Sequence, residues 1–265
     1  MKEKIIREIK HILKTMSNPI ISVLPAQLAF SLIITIISLF AILGFIVYLL
    51  SVSPDNLIDF VTDTFPSNSS SLILPLIKGR GFDFGMLFFI ISSFVLSSGG
   101  AYAVIKSSNL IYDTNVSSST RKRIKSFLMT IIFIFLILFL ILVPGFGNYI
   151  IHLFENTNFF GNFLYYTFYI VKYPLSFLFI FFCIKLIYTI APDVRIKSNT
   201  VTEGALFTTI SWILLTRFYS FYASNLIRYD IIYGSLSNLI VLILWVYLLS
   251  YCFVVGIALN VKNNK

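Results

Sequence analysis

The stretch from Ile131 to Val143 contains no polar side chain, and comparable apolar runs recur along the whole chain. The hydrocarbon core of a bilayer is about 30 Å thick, which about 20 residues of α-helix cross. A helix is favoured there because it satisfies its own backbone hydrogen bonds away from water. Composition agrees, since only 12% of the residues are charged, about half the usual share in soluble domains. The sequence therefore predicts an integral membrane protein.

Six apolar runs are long enough to cross the membrane. They cover residues 25–50, 84–111, 127–149, 163–190, 205–226 and 236–258. The predicted fold class is all-α: a polytopic membrane protein with six transmembrane helices in a single membrane domain, residues 1–265. Between the first two runs, residues 51–83 carry three prolines and a serine-rich turn. We expect this segment to cover the outer face of the bundle.

Residues 1–18 form a predicted amphipathic helix. Ile5, Ile9 and Met16 share an apolar face, while Arg7 and Lys14 lie on the opposite face. A basic amphipathic helix of this kind lies in the membrane interface and contacts anionic headgroups. The alternative is a solvated cytoplasmic helix packed against the bundle.

Basic residues are concentrated in the connections on one side of the predicted bundle. They precede the first span, join the second span to the third and the fourth to the fifth, and follow the sixth. Because cytoplasmic loops of membrane proteins are enriched in Lys and Arg, we expect both termini in the cytoplasm. The net charge of +9 is spread over short stretches and forms no basic face interleaved with aromatic residues, so no nucleic-acid partner is predicted. A second copy of the chain is left open as a partner.

No motif for a metal, a cofactor or a nucleotide is found in the sequence. CxxC and HExxH motifs and phosphate-binding loops are absent, and the two histidines are far apart. Cys183 and Cys252 both fall inside predicted helices, where a small packed thiol is the simpler interpretation. We therefore expect no cofactor, no metal and no enzyme activity.

Polar residues within the predicted spans are the candidates for function, because they are costly at membrane depth. Gln27, Ser31 and Thr35 recur at intervals of four residues in the first span. The hypothesis of a substrate pathway adds further residues from the second, fifth and sixth spans: Asn109, Arg217 and Asn238. The alternative is that these groups only hold helices together.

Arg217 lies deep in the fifth predicted span. We expect its guanidinium to point into the bundle, toward Gln27 or Ser31, where partners offset the cost of burying a charge. The alternative is that the side chain reaches outward to the headgroups.

Several motifs resemble those of the BrkB/YihY family of bacterial inner-membrane proteins. They are PAQLAFSLIITIISLFAIL (Pro25–Leu43), SSGGAYAVIKSSNLIYD (Ser97–Asp113), IYTIAPDVR (Ile187–Arg195), GALFTTISW (Gly204–Trp212), YGSLSNLIVLILWVYL (Tyr233–Leu248) and GIALN (Gly256–Asn260). Their order and spacing carry the resemblance, which implies a six-span helical fold in the bacterial plasma membrane. One position departs from the family, which usually has an acidic residue where this chain has Ala258.

The resemblance does not define an activity, since members of the family have been called both virulence-associated and ribonuclease BN. Among function classes, the sequence favours a transporter of an amphiphilic or small polar substrate. The alternative is a non-transporting scaffold that binds partners or lipids. A nuclease is rejected, because the carboxylates of Asp113, Asp193 and Glu203 lie in different connections and form no cluster that could hold a metal.

Overall fold

A computed structural model describes residues 17–49, 62, 84–114, 118–154, 158–225 and 236–262, and every structural statement below refers to these residues. They form helices and connections, with no strand among them. In chain order the helices are α1 (Pro19–Ser22), α2 (Leu24–Leu49), α3 (Phe84–Ile111), α4 (Ser119–Phe154), α5 (Asn158–Ile190), a 3-10 turn (Ser198–Val201), α6 (Thr202–Asn225) and α7 (Leu236–Lys262). The all-α class is confirmed.

Three stretches of helix in this part of the chain are long and apolar enough to cross a bilayer. They lie in α2, α3 and α7, at Leu24–Ile42, Phe88–Ile111 and Leu239–Val261. A shorter apolar stretch in α5 covers Pro174–Ile190. The membrane class is thus supported by the helices themselves, while the count of six crossings remains a prediction.

The bounds of the helices match the six apolar runs in some places and extend beyond them in others. The run at 84–111 coincides with α3, whereas α4 begins at Ser119, well before the run at 127–149. The early start has a local cause: the hydroxyl of Ser118 accepts a hydrogen bond from the amide of Arg121, at 3.4 Å. The predicted interfacial helix at 1–18 lies almost entirely outside the described residues, as does the segment 51–83.

The six long helices form a closed ring of neighbours. Each of them packs against the next in the chain, and α7 packs against α2 to complete the ring. One hydrophobic core joins them and includes Leu28, Ile105, Met129, Ile184 and Ile257, all essentially buried. The burial of such side chains against other helices fixes which face of each helix points inward.

One end of the ring gathers the starts of α2, α4 and α6 and the ends of α3, α5 and α7. Side-chain contacts join α3 to the residues after α5, α4 to the end of α5, and α6 to α7 at this end. We call it the latch end, after the network of Asn109, Lys125 and Asp193 that lies there. The connections at the opposite end fall largely outside the described residues.

The end of α3 is a Schellman motif. Asp113 takes a left-handed conformation with φ of 54°. Its amide donates to the carbonyl of Leu110 at 3.3 Å, and the amide of Thr114 donates to the carbonyl of Asn109 at 2.8 Å. These two bonds satisfy carbonyls that a helix end leaves unpaired. Because glycine is the usual residue at this position, Asp113 occupies it at a conformational cost.

Candidate functional site

The hydroxyl of Thr35 joins α2 to the backbone of α3. It donates to the carbonyl of Ser97 at 3.0 Å and accepts from the amide of Gly100 at 2.9 Å. Thr35 is only 1% exposed. The close approach depends on the missing side chain of Gly100, since a Cβ there would collide with the Thr35 hydroxyl. This contact lets two helix backbones approach, as small residues do in membrane bundles.

One face of α3 presents two buried hydroxyls to the interior. Ser97, Ala101, Val104 and Ser108 follow one another at helical spacing, and all four are buried. Within the described part of the chain, the side-chain oxygens of Ser97 and Ser108 have no hydrogen-bond partner. Buried polar atoms are almost always satisfied, so two on one face call for a physical explanation.

A cluster of hydrogen-bonded side chains, which we call the knot, joins α5, α6 and α7. The hydroxyl of Tyr188 donates to the carbonyl of Phe253 at 2.8 Å and lies 2.7 Å from the hydroxyl of Thr208. A Cβ at Gly256 would collide with both of these side chains. One turn further along α6, the indole of Trp212 donates to the carbonyl of Leu249 at 2.9 Å. These groups hold the three helices at a fixed height relative to one another.

Gly204 and Asn260 close the latch end between α6 and α7. The amide of Gly204, in the first turn of α6, donates to the side-chain oxygen of Asn260 at 2.9 Å. Both residues are buried. The contact satisfies one of the amides that every helix start leaves unpaired.

Asn109, Lys125 and Asp193 form a network that we call the latch. The amide nitrogen of Asn109 donates to one carboxylate oxygen of Asp193 at 2.7 Å, while its amide oxygen accepts from the backbone amide of Asp193 at 2.8 Å. The ammonium of Lys125 lies 3.2 Å from the other carboxylate oxygen. The side chain of Asp193 is only 6% exposed. The latch therefore ties the ends of α3 and α5 to the start of α4.

Lys125 also caps α5. Its ammonium donates to the carbonyls of Ala191 and Pro192, each at 2.8 Å. Burial lowers the pKa of Lys125, and the hydrogen bond and charge of Asp193 counteract that effect in part. Because three acceptors surround its three N–H groups, all the donors of this ammonium are used in contacts within the protein.

A cleft lies beside the latch. Its volume is about 510 Å³, and it is lined by Arg121, Lys125, Thr189, Pro192, Asp193, Val194, Arg195 and Ile196. Unlike Lys125, the side chains of Arg121 and Arg195 are exposed. The cleft thus combines a neutralised ion pair with two cations that face solvent.

The residues of the predicted substrate pathway do not form one cluster in the described structure. Gln27 is exposed, Ser31 is half-buried and Thr35 is buried. The physical reason is geometric: positions four apart drift by about 40° around a helix, so Gln27 and Thr35 differ by about 80°. Asn109 belongs to the latch, and the side chain of Asn238 lies outside the described residues.

Arg217 is exposed on α6. It lies on the face that also exposes Leu214, Phe218 and Phe221. An exposed position does not support a guanidinium directed into the bundle, whereas it fits the alternative of a side chain that reaches toward headgroups.

The sequence singles out Asn109 of the latch as a candidate residue, but not Lys125 or the residues that hold the knot. Lys125 lies in one of the basic connections that indicate topology, and Tyr188 lies in the motif Ile187–Arg195. The available signals were weak ones, a glycine pair at Gly99 and Gly100 and the Ala-Pro-Asp step at 191–193. Which distant residue each of them contacts depends on tertiary packing.

Comparison with known proteins gives one match over nearly the whole chain and several shorter ones. A family model described as "Virulence factor BrkB" matches residues 12–265. The ribonuclease-like protein YfkH of Bacillus subtilis is 29% identical over 239 residues, which cover 87% of this chain and 86% of that protein. No solved structure matches.

The shorter matches are to proteins named UPF0761 membrane protein. One from Xanthomonas campestris is 38% identical over 68 residues, covering 26% of this chain and 16% of that protein. One from Aeromonas salmonicida is 34% identical over 80 residues, covering 30% and 28% respectively.

Proposed function

The chain belongs to the virulence factor BrkB family, and we propose that it is a plasma-membrane transporter of an amphiphilic or small polar substrate, with six crossings and both termini in the cytoplasm. In this proposal the latch end faces the cytoplasm. The basic residues at that end support the orientation, since Arg121, Lys122, Arg123 and Arg195 all lie near it.

The observation that carries the proposal is the buried hydroxyl row of α3. Ser97 and Ser108 lie on one face that points into the ring, and their hydroxyls lack partners in the described residues. An unsatisfied hydroxyl at this depth is costly in a permanently dry bundle. The cost is explained if the same face contacts water or substrate in another conformation. Ser97 and Ser108 would then line the pathway, with Thr35 as a packing residue beside it.

The latch supplies a closed gate for such a pathway. Asn109, Lys125 and Asp193 join three helices at the cytoplasmic end, and Gly204 and Asn260 join a further two. Alternating access requires that one side be closed while the other is open. In this proposal the described conformation is closed to the cytoplasm.

A non-transporting scaffold is the second candidate, and the contacts of Thr35 favour it. Its hydroxyl makes two hydrogen bonds to α3 and is almost completely buried. A bundle built only from such contacts would be dry throughout.

Nuclease activity is not proposed, although one relative is named ribonuclease-like. Within the described residues, no group of three or more His, Cys, Asp or Glu side chains has a geometry that could hold a metal ion. Asp193, a cytoplasmic carboxylate in the proposed orientation, is held by Lys125 and Asn109.

A test that needs no known substrate is the water accessibility of the hydroxyl row. Ser97→Cys and Ser108→Cys are made in a chain carrying Cys183→Ala and Cys252→Ala. Membranes that contain each variant are then treated with a charged, water-soluble thiol reagent. We expect both to react from the side opposite the latch end, with Ser97→Cys the faster. Ser250→Cys is the matched control, because Ser250 is equally buried but bonds the carbonyl of Val246; it should stay unreactive.

The two candidates give different results. If both cysteines are as inert as the one at position 250 until the protein unfolds, the bundle is dry, the transporter proposal fails and the scaffold is favoured. The gate is tested by adding Asp193→Ala to Ser108→Cys. If the protein is a transporter, the cysteine at position 108 should then become reactive from the cytoplasmic side, because the loss of Asp193 opens the gate.

A further inference from the structure

The cleft beside the latch holds two cations with no assigned role. Arg121 enters it from the first turn of α4, and Arg195 from the connection between α5 and α6. Both side chains are exposed. Among the residues that the structure describes, neither guanidinium takes part in an ion pair or a side-chain hydrogen bond.

The acidic residue of the cleft does not cancel these charges. Asp193 is paired with Lys125 and bonded by Asn109. Of the lining residues, three are cationic and one is anionic, which leaves a net charge of +2. The start of α4 adds the partial positive charge of a helix N-terminus. A phosphate would therefore meet two guanidinium groups that form no ion pair with any described residue, and these can bind its oxygens in pairs.

An exposed apolar stripe begins beside the cleft. Following Arg121 at helical spacing, α4 exposes Ile124, Leu128, Ile131 and Phe135. The neighbouring helix α5 exposes a similar stripe that ends near the cleft: Leu175, Leu178, Phe182, Leu186 and Ile190. Cations at the end of an exposed apolar face are the arrangement that fits a lipid, with a charged headgroup and acyl chains.

The geometry points to a binding site for an anionic phospholipid, with its phosphate between Arg121 and Arg195 and an acyl chain along the α4 stripe. The stripe decides between a lipid and a free phosphate ion, because a free ion would use the two arginines alone. This inference does not depend on transport: a scaffold could hold the same lipid at the same place.

The experiment measures binding of phosphatidylglycerol to the full chain in detergent, by the rise in thermal unfolding temperature as lipid is added. Phosphatidylcholine, which has a phosphate but no net charge, and inorganic phosphate are measured in parallel. We expect a saturable rise with phosphatidylglycerol and a much smaller effect of the other two.

The variant Arg121→Gln/Arg195→Gln should weaken phosphatidylglycerol binding by about tenfold or more, because charge-assisted hydrogen bonds to the phosphate are lost. Its matched control is Lys106→Gln/Lys197→Gln, which removes two exposed cations that do not line the cleft. That control should bind as the unchanged chain does. The two single arginine variants should each show part of the loss, which guards against a folding defect of the double variant.

Three results would overturn the inference. Equal loss in the lysine control would show a general charge effect. Undiminished binding by the arginine variant would place the lipid elsewhere. An unfolding-temperature rise with inorganic phosphate as large as that with phosphatidylglycerol would show a site for a free anion instead of a lipid.

Discussion

Thr35 on α2 accepts a hydrogen bond from the backbone amide of Gly100 on α3, at 2.9 Å. A threonine side chain therefore occupies the space that any other residue at position 100 would fill. The neighbouring glycine, Gly99, has no atom within 4 Å of the place where its Cβ would lie. The chain thus contains a constrained glycine and an unconstrained one side by side in the same helix.

We predict opposite effects of alanine at these two positions. Gly100→Ala should lower the free energy of unfolding by about 1–3 kcal/mol, because the added methyl group forces α2 and α3 apart. Gly99→Ala should be neutral or stabilising by up to about 1 kcal/mol, since alanine favours a helix. Denaturant unfolding in detergent measures both, and similar values for the two variants would contradict the close contact.

The latch predicts strong energetic coupling between Lys125 and Asp193. Asp193→Ala should cost about 1–3 kcal/mol of stability, because the half-buried ammonium of Lys125 and the side-chain amide of Asn109 each lose an acceptor. Lys125→Met should cost a comparable amount, since the carbonyls at the end of α5 lose their donor. In the double variant the costs should not add. Additive losses in a double-mutant cycle would mean that the two side chains act independently.

Removing one hydroxyl tests the knot between α5, α6 and α7. Tyr188→Phe should lower the free energy of unfolding by about 1–2 kcal/mol, because the carbonyl of Phe253 and the hydroxyl of Thr208 both lose a buried partner. Tyr251→Phe is the matched control, as Tyr251 is 40% exposed, and it should change stability little. Thermal unfolding of the two variants in the same detergent gives the comparison.

The left-handed residue at the end of α3 offers a stabilising substitution. Asp113→Gly should raise the free energy of unfolding by about 0.5–1 kcal/mol, because glycine adopts this conformation without the steric cost that other residues meet. Asp113→Ala keeps that cost and should give no gain. A gain of equal size with alanine would assign the effect to the lost charge.

The number of crossings is tested by labelling. In a chain carrying Cys183→Ala and Cys252→Ala, Ser69→Cys and Ser118→Cys should react with an impermeant reagent from opposite sides of the membrane. Ser198→Cys should behave like Ser118→Cys, since both lie at the latch end. Reaction of Ser69→Cys and Ser118→Cys from the same side would overturn the six-span arrangement.

The sequence predicts helices better than it predicts contacts, and particular residues show why. The bounds of α3 coincide with the run at 84–111, which is apolar enough overall to be recognised from a single sequence although it contains serines, Lys106 and Asn109. The extent of α4 beyond the apolar run is harder to predict, because its first residues are basic and look like a connection, although charged side chains are compatible with the first turns of a helix. The four-residue spacing of Gln27, Ser31 and Thr35 suggests a single helix face, but the drift of about 40° per step separates the ends of the row.

Contacts between residues that are distant in the sequence could not be predicted from it. Asn109 and Asp193 are 84 positions apart, and nothing local to either one indicates the other. Gly256 looks like any small residue of a membrane helix, and its role becomes visible only with Tyr188 and Thr208 beside it. Such pairings depend on how the ring closes.

In the knot, α5 and α6 supply side-chain donors, while α7 supplies backbone carbonyls and, at Gly256, the space in which Tyr188 and Thr208 meet. Trp212, Thr208 and Tyr188 bond the carbonyls of Leu249, Cys252 and Phe253. Because every residue type carries the same carbonyl, these bonds place no demand on the α7 side chains at those positions. Evolution is free to exchange Leu249 as packing allows, whereas it cannot exchange the three donors or Gly256 without loss. Across relatives, we expect constant donors on α5 and α6 to face a constant glycine at position 256, whereas the side chain at position 249 should vary.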